Sequence, residues 1–326
     1  MPKVSVILPA YNAEKYIKEA MDSILSQTFA DFELIVLNDC SQDSTEELIL
    51  SYEDPRVVYV KNEENLGVAR TLNRGLALAK GEYIARMDAD DISLRSRFEK
   101  QAAYLDTHSN VAVLGSNVEL FDENGTIQTG WSSTDPRQLK LDLFFACPFA
   151  HPGVMMRTAV IRELGGYDPE YEGLEDYELW YRVSRKANIS TLADVLLRYR
   201  LHGGQVTQNP SERYRQRLLA LKRRQLGTLG MEDNDAYFDY CLGKKPQTAE
   251  QVLAWCRFLE TALEANQTAG VYDPVLMERY FCTVALSAVA SLGRKDALTV
   301  CRETKLVSFG ALVARKAKAL LRRIGK

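Results

Sequence analysis

Val4-Ser5-Val6-Ile7-Leu8-Pro9-Ala10-Tyr11-Asn12 begins as an apolar run, is broken by a proline and ends on an aromatic and an amide. Residues 4–8 read as a buried strand, because a short β-branched-rich run bounded by a breaker fits a strand covered on both faces. Working outward, Ile17, Ala20, Met21, Ile24 and Leu25 recur at helical spacing within 14–27, and residues 32–37 form a second apolar run. A helix over 44–52 capped by Asp43 or Ser44, a strand over 57–60, a helix over 68–79 ended by Gly81 and a strand over 83–87 follow. This βαβαβαβ order predicts a parallel sheet with helices on both faces. In such sheets ligands gather at the carboxyl ends of the strands, here Tyr11-Asn12, Asn38-Asp39 and Asp88-Ala89-Asp90-Asp91.

From about 95 to 204 the pattern is mixed. Helices are expected over 95–107, 136–143 and 175–186, and strands over 111–115, 118–121, 153–156, 190–192 and 196–201. After Pro210 the strand signal stops, and the segments 211–228, 247–266, 273–291 and 308–324 read as helices. A boundary near 207 separates a first domain, 1–207, with a donor half of about 1–115 and an acceptor half of about 116–207, from a helical region over 208–326.

Of 326 residues, 41 are Lys or Arg and 44 Asp or Glu, a net charge of −3. No acidic residue follows Glu303, so Lys305, Arg315, Lys316, Lys318, Arg322, Arg323 and Lys326 leave the remainder distinctly acidic. An acidic body lacks the basic face that nucleic-acid binding needs. The six cysteines form no CxxC pair and the three histidines have no zinc-type spacing to them, which predicts reduced thiols in a cytosolic protein. The N-terminus reads as a strand instead of a signal peptide. No run reaches the ~18 apolar residues of a membrane span.

Asp88-Ala89-Asp90 follows a predicted strand, so alternation places both carboxylates on one side of an extended loop. Two adjacent carboxylates repel unless a cation lies between them, and oxygen ligands suit Mg²⁺ or Mn²⁺. A solvated acidic turn is the plainer reading of the same three residues. A hard cation held by two carboxylates completes its shell with substrate phosphates, which points to a diphosphate ligand. Neither GxxxxGK[ST] nor a GxGxxG after the first strand is present, which disfavours Walker-type hydrolysis and dinucleotide binding.

Taken in order, Val4 to Asn12, Asn38-Asp39-Cys40-Ser41, Asn65-Leu66-Gly67, Leu72-Asn73-Arg74-Gly75, Gly81 to Asp91, His151-Pro152, Gly165-Gly166-Tyr167, Glu175-Asp176-Tyr177-Glu178-Leu179-Trp180 and Tyr199-Arg200-Leu201-His202 resemble the family 2 glycosyltransferases of GT-A fold. The resemblance spans about 1–207. It implies an α/β, Rossmann-like, mixed but mainly parallel sheet flanked by helices, and inverting transfer of a sugar from a nucleotide diphosphate to an acceptor hydroxyl. By that analogy Tyr11 lies against a pyrimidine base and Asp39 accepts its ring N–H. Packed aromatic and helix cap are the alternatives for these two. Pro9, Asn12, Glu14, Asn65, Gly67, Asn73, Arg74 and Ala89 complete the implied donor site. Arg70 and Arg74 read either as phosphate ligands or as exposed helix charges, since the family more often has an Arg where Leu72 stands.

The resemblance also assigns Asp88 and Asp90 to the cation, with His202 completing its shell as in some relatives. Asp176 becomes the general base that takes the acceptor's proton, and Glu175 orients the acceptor. An acidic first turn complementing a helix dipole is a compatible structural reading of that pair. Trp180 has two readings, a sugar platform or core, and His151 either contacts acceptor or shapes its loop.

The segment 309–326 sets Leu312, Val313, Ala317, Leu320, Leu321 and Ile324 at helical spacing among six Lys and Arg. Such a helix suits peripheral attachment at the anionic inner face of a plasma membrane, or docking on the domain. The combined expectation is a cytoplasmic, metal-dependent enzyme that uses a UDP-sugar and a glycan or lipid-linked acceptor in bacterial surface glycan synthesis. A nucleotidyltransferase is the enzymatic rival, but it wants a glycine-rich, basic loop where Pro9-Ala10-Tyr11-Asn12 stands. A non-catalytic nucleotide-sugar-binding module is the other rival, and loss of Asp90 or Asp176 would have been its signature.

Overall fold

The computed structural model describes residues 1–130, 132–203, 211–308 and 310–311. The chain divides into two compact units, Met1–Arg217 and Leu218–Lys326. In the first, β1 (Val4–Ala10), α1 (Ile17–Leu25), β2 (Phe32–Asn38), α2 (Thr45–Leu50), β3 (Val57–Lys61), α3 (Val68–Leu78) and β4 (Tyr83–Arg86) alternate. Then come β5 (Ile92–Ser93), α4 (Arg97–Thr107), β6 (Val111–Asp122), β7 (Gly125–Gly130), α5 (Pro136–Phe145), β8 (Met155–Arg157), α6 (Thr158–Glu163), α7 (Glu175–Ser184) and β9 (Asn188–Arg200).

One mixed sheet joins these strands in the order β3-β2-β1-β4-β8-β6-β9-β5, with β7 on β6. The β3-β2-β1-β4 half is parallel, Val4 lying between Phe32 and Tyr83. Strand β8 runs antiparallel to β4 and β6, while β9 is parallel to β6. Alternation along β1 sends Val4, Val6 and Leu8 into a core with Ile17, Ala20, Met21 and Ile24 of α1 and Phe98 of α4. Ile7 points the other way, toward α3. A Cβ on Gly75 of α3 would lie 2.6 Å from its Cγ2, so glycine lets that helix approach the sheet.

Helix α1 starts at Ile17 instead of residue 14, because 12–14 are tied to the segment after β2. Strands β6 and β9 are each continuous where two strands were expected. The polar break at Ser116-Asn117 is absorbed as a register shift against β9, and buried Asn117 donates to the Ala193 carbonyl. Strand β7 and helix α6 were not anticipated.

Helix α8 (Glu212–Gly227) leads into α9 (Asp235–Cys241), α10 (Ala249–Ala269), α11 (Pro274–Ala290) and α12 (Arg294–Glu303). Within the second unit, Thr248 and Gln251 cap α10 reciprocally, Gly270 ends it in the left-handed conformation, and Asp273 caps α11. Trp255 stacks on Tyr240 and Phe258. No described helix is long and apolar enough to cross a membrane. The expected basic helix over 309–326 lies outside the described residues apart from Gly310 and Ala311. Cys40, Cys147, Cys241, Cys256, Cys282 and Cys301 are all free thiols.

Candidate active site

The ends of β1 and β2 are bound into one rim. Asn12 and Cys40 have positive φ, 47° and 63°, which turns the chain sharply past each strand. Asn12 N–H donates to Ser41 Oγ at 3.0 Å and its Oδ1 accepts from Gln42 N at 2.8 Å. Glu14 Oε2 accepts from Ser44 N at 3.0 Å, so this carboxylate caps the start of α2 instead of α1. Pro9 lies on β1 opposite Leu37, and Tyr11 is half exposed beyond it.

Asp39 is buried just past β2. Its Oδ1 accepts from Asn62 Nδ2 at 2.6 Å and Leu66 N at 2.9 Å, and its Oδ2 from Gly67 N at 3.0 Å. The carboxylate therefore shapes the loop that carries Asn65 and Gly67, and Oδ2 keeps capacity for one more donor. Asn73 and Arg74, on the second turn of α3, are committed to protein contacts. Asn73 donates to the Tyr167 carbonyl at 2.7 Å and accepts from Tyr167 N at 2.8 Å. Arg74 donates to the Lys61 carbonyl at 2.7 Å and to Asn62 Oδ1.

Past β4, Asp88, Asp90 and Asp91 bring one carboxylate oxygen each within 4.8 Å of the others, with Ala89 buried between them. Asp90 Oδ2 meets His202 Nε2 at 2.8 Å. Asp91 Oδ1 accepts from Arg200 N at 2.8 Å, while its buried Oδ2 has no hydrogen-bond partner. Burial first, then the charges of Asp88 and Asp90, push the Asp91 carboxyl well above its ordinary value. Burial also raises Asp88, against the pull of Arg86 and with Asp90 adding to it. An orphaned buried oxygen among three crowded carboxylates is the donor set of a hard cation, and the residues fit one.

Arg86, on β4, is a buried cation in contact with Asp88, and its Nε has no hydrogen-bond partner. Burial opposes its charge, but Asp88 outweighs burial and the guanidinium pKa rises.

Glu175 and Asp176 open α7. Glu175 is buried and accepts from Gly173 N at 2.6 Å, and its Oε1 lies 3.9 Å from His151 Nδ1. Asp176 Oδ1 accepts from Tyr177 N at 2.6 Å, and Cys147 Sγ donates to Oδ2 at 3.6 Å. Burial, then the neighbouring Asp176 charge, push the Glu175 carboxyl up to about 8, and burial raises Asp176 as well. His151 bonds Tyr167 Oη at 2.9 Å, and burial, aided by Arg86, holds it neutral. Trp180 is fully buried and packs edge-on against Phe149 and His151, which makes it core.

The structure thus groups Asn12, Glu14, Asp39, Asn65 and Gly67 on one rim, Asp88, Asp90 and His202 in a second cluster, and Glu175 with Asp176 in a third. Asp91, Arg86 and Cys147 are additions. Asp91 and Arg86 carried a sequence signal, a third acid beside the pair and a charge inside an apolar strand, whereas Cys147 carried none.

Residues 5–165 match the family model described as glycosyl transferase family 2. An uncharacterized glycosyltransferase of Haemophilus influenzae is 37% identical over 218 residues, covering 63% of this chain and 68% of its own length. The O-antigen biosynthesis glycosyltransferase WbnJ of Escherichia coli is 34% identical over 206 residues, covering 61% of this chain and 80% of its own. Among solved structures, S. aureus TarS 1–349 in complex with UDP-GlcNAc has a TM-score of 0.58 at 21% identity, over 91% of this chain and 90% of that one. The last likeness is one of fold.

Proposed function

Because this chain belongs to glycosyltransferase family 2 and is a nucleotide-sugar glycosyltransferase, we propose that it works with inversion and a divalent cation, taking a UDP-sugar as donor. The observation that carries the reading is the carboxylate triad with its orphaned Asp91 oxygen at the end of β4. Asp88, Asp90 and Asp91 would hold Mn²⁺ or Mg²⁺ with His202 against Asp90, and the cation would offset the charge that develops on the departing diphosphate. Tyr11 supplies an aromatic face for the base, and Asp39 Oδ2 an acceptor for its ring N–H. Asn65 and Gly67 shape the same rim. UDP is favoured as the nucleotide because the TarS structure of like fold holds UDP-GlcNAc.

Burial raises both carboxyls of the Glu175–Asp176 pair, and the Asp176 charge helps push Glu175 up to about 8, which suits a protonated Glu175 beside an ionised Asp176. In this reading Asp176 takes the acceptor's hydroxyl proton. The acceptor oxygen bonds to the anomeric carbon, the bond from that carbon to the diphosphate oxygen breaks, and the nucleoside diphosphate leaves on the opposite face. A cytoplasmic enzyme of bacterial surface glycan synthesis, at times seated on a membrane, is the setting we favour, and WbnJ's O-antigen role supports the glycan class.

The deciding experiment is calorimetric titration of UDP, dTDP, GDP and ADP with Mn²⁺ or with chelator, on wild type and Asp90→Ala. UDP binding that needs both metal and Asp90 supports the donor site. Nucleotide binding indifferent to both removes the triad from it.

A further inference from the structure

A cavity of about 590 Å³ opens between the 65–70 segment, the 169–172 segment and the first turns of α8, with Arg70, Arg213 and Arg217 on its walls beside Gly67, Glu170 and Glu172. Glu172 is itself a bound anion. Its carboxylate accepts from Val68 N at 2.6 Å and Ala69 N at 3.0 Å, so its charge is met by the amino end of α3. Gly67, at φ 82°, is glycine for this contact, since a Cβ there would lie 2.8 Å from Glu172 Oε1. Arg217 donates to the Glu172 carbonyl at 2.6 Å, which fixes one guanidinium at the wall. Among the described residues none of the three arginines is in an ion pair, and Glu170 and Glu172 are the acids on the wall, the latter's charge already met by the amino end of α3.

Two uncommitted guanidiniums, Arg70 and Arg213, and a third anchored at the wall through one of its donors match a phosphate, whose oxygens accept paired N–H donors. The wall shares Asn65 and Gly67 with the donor rim, and two features separate this place from the cation cluster. The cation ligands lie on the 88–91 loop, which contributes nothing to the cavity wall. The wall residues 169–172 instead run directly into Glu175 and Asp176, where the acceptor hydroxyl must sit, and Gly173 packs against Tyr214 of α8.

We propose that this cavity binds a phosphate group of the acceptor, making the substrate a phosphate-bearing acceptor. The proposal rests on the glycosyltransferase reading above. The phosphate belongs either to a lipid headgroup or to a phosphorylated glycan.

The test is calorimetry of glycerol 3-phosphate, in chelator so that the carboxylate triad is silent, on wild type and on the double variant Arg70→Gln, Arg213→Gln. Both arginines are exposed, so the fold is expected to survive and circular dichroism checks it. Saturable binding to wild type that weakens about tenfold or more in the variant is expected. UDP with Mn²⁺ is titrated in parallel and is expected to bind both proteins within about twofold of each other. Equal glycerol 3-phosphate affinity in the two proteins, or none in either, overturns the proposal. A matching loss of UDP affinity in the variant also overturns it, by making these arginines donor ligands. UDP binding to the wild type reports separately on the donor assignment. Sedimentation with phosphatidylcholine vesicles, with and without phosphatidic acid, then names the source. Arginine-dependent capture by phosphatidic acid assigns a lipid phosphate, and soluble binding without capture assigns a glycan phosphate.

Discussion

The acids after β4 and the acids opening α7 are the same residue types in two opposite situations. At Asp88, Asp90 and Asp91 the oxygens crowd one another, and one buried oxygen has no donor at all. At Glu175 and Asp176 the carboxylates accept backbone N–H groups at the amino end of a helix. The first arrangement is short of positive charge, which the proposed cation would supply. The second already has its donors, and burial sets its proton affinity. Chemistry is assigned by what surrounds a carboxylate more than by its presence.

The contrast breaks most sharply at Asp176. Asp176→Asn is expected to lower kcat by about 10²–10⁴-fold, the range for a lost general base, with UDP affinity unchanged. Steady-state turnover beside calorimetry measures both, and retained turnover would take the base role from this residue. At the other cluster, Asp90→Ala should weaken Mn²⁺ binding by about 100-fold or more, since even outer partners of a metal are worth 10–100-fold. Electron paramagnetic resonance of free Mn²⁺ reads that loss without any turnover.

A third variant sharpens the pair by pH. Glu175 has its folded value raised above the unfolded one, so the native state binds the extra proton and stability falls as pH rises from the ordinary carboxyl range toward about 8. In chelator, the Tm of wild type should fall more between pH 6 and 8.5 than that of Glu175→Gln. An identical slope in the two proteins would show that Glu175 is ionised throughout. The smallest expected effect is at Asn73→Ala, which leaves Tyr167 N–H and carbonyl without partners and should destabilise by about 1–3 kcal/mol in denaturant unfolding.

Legibility followed the range of the interactions. Strands β1, β2 and β4 are short apolar runs whose burial comes from helices close in sequence, and they were readable as such. Strand β7 is mostly exposed and has no apolar alternation to read, while α6, at six residues, is too short to show a period. Asp88 and Asp90 formed a local pattern. Glu172 acquires its place from N–H groups more than a hundred positions away, and Cys147 meets Asp176 across 29 residues, contacts that local spacing does not encode. Glu14 shows the same limit, being an acid near one helix that caps another.

Asn73 and Glu172 between them fasten α3 to the segment that leads into α7, with Gly166 and Gly67 making room at each fastening. A Cβ on Gly166 would lie 2.5 Å from Asn73 Oδ1. The consequence is felt in modular exchange. A grafted segment 165–176 from another protein inherits its fit to α3, so the transplantable unit is discontinuous and includes Gly67 and Asn73. Chimeras cut only around 165–176 should fold less well than chimeras that carry α3 with it.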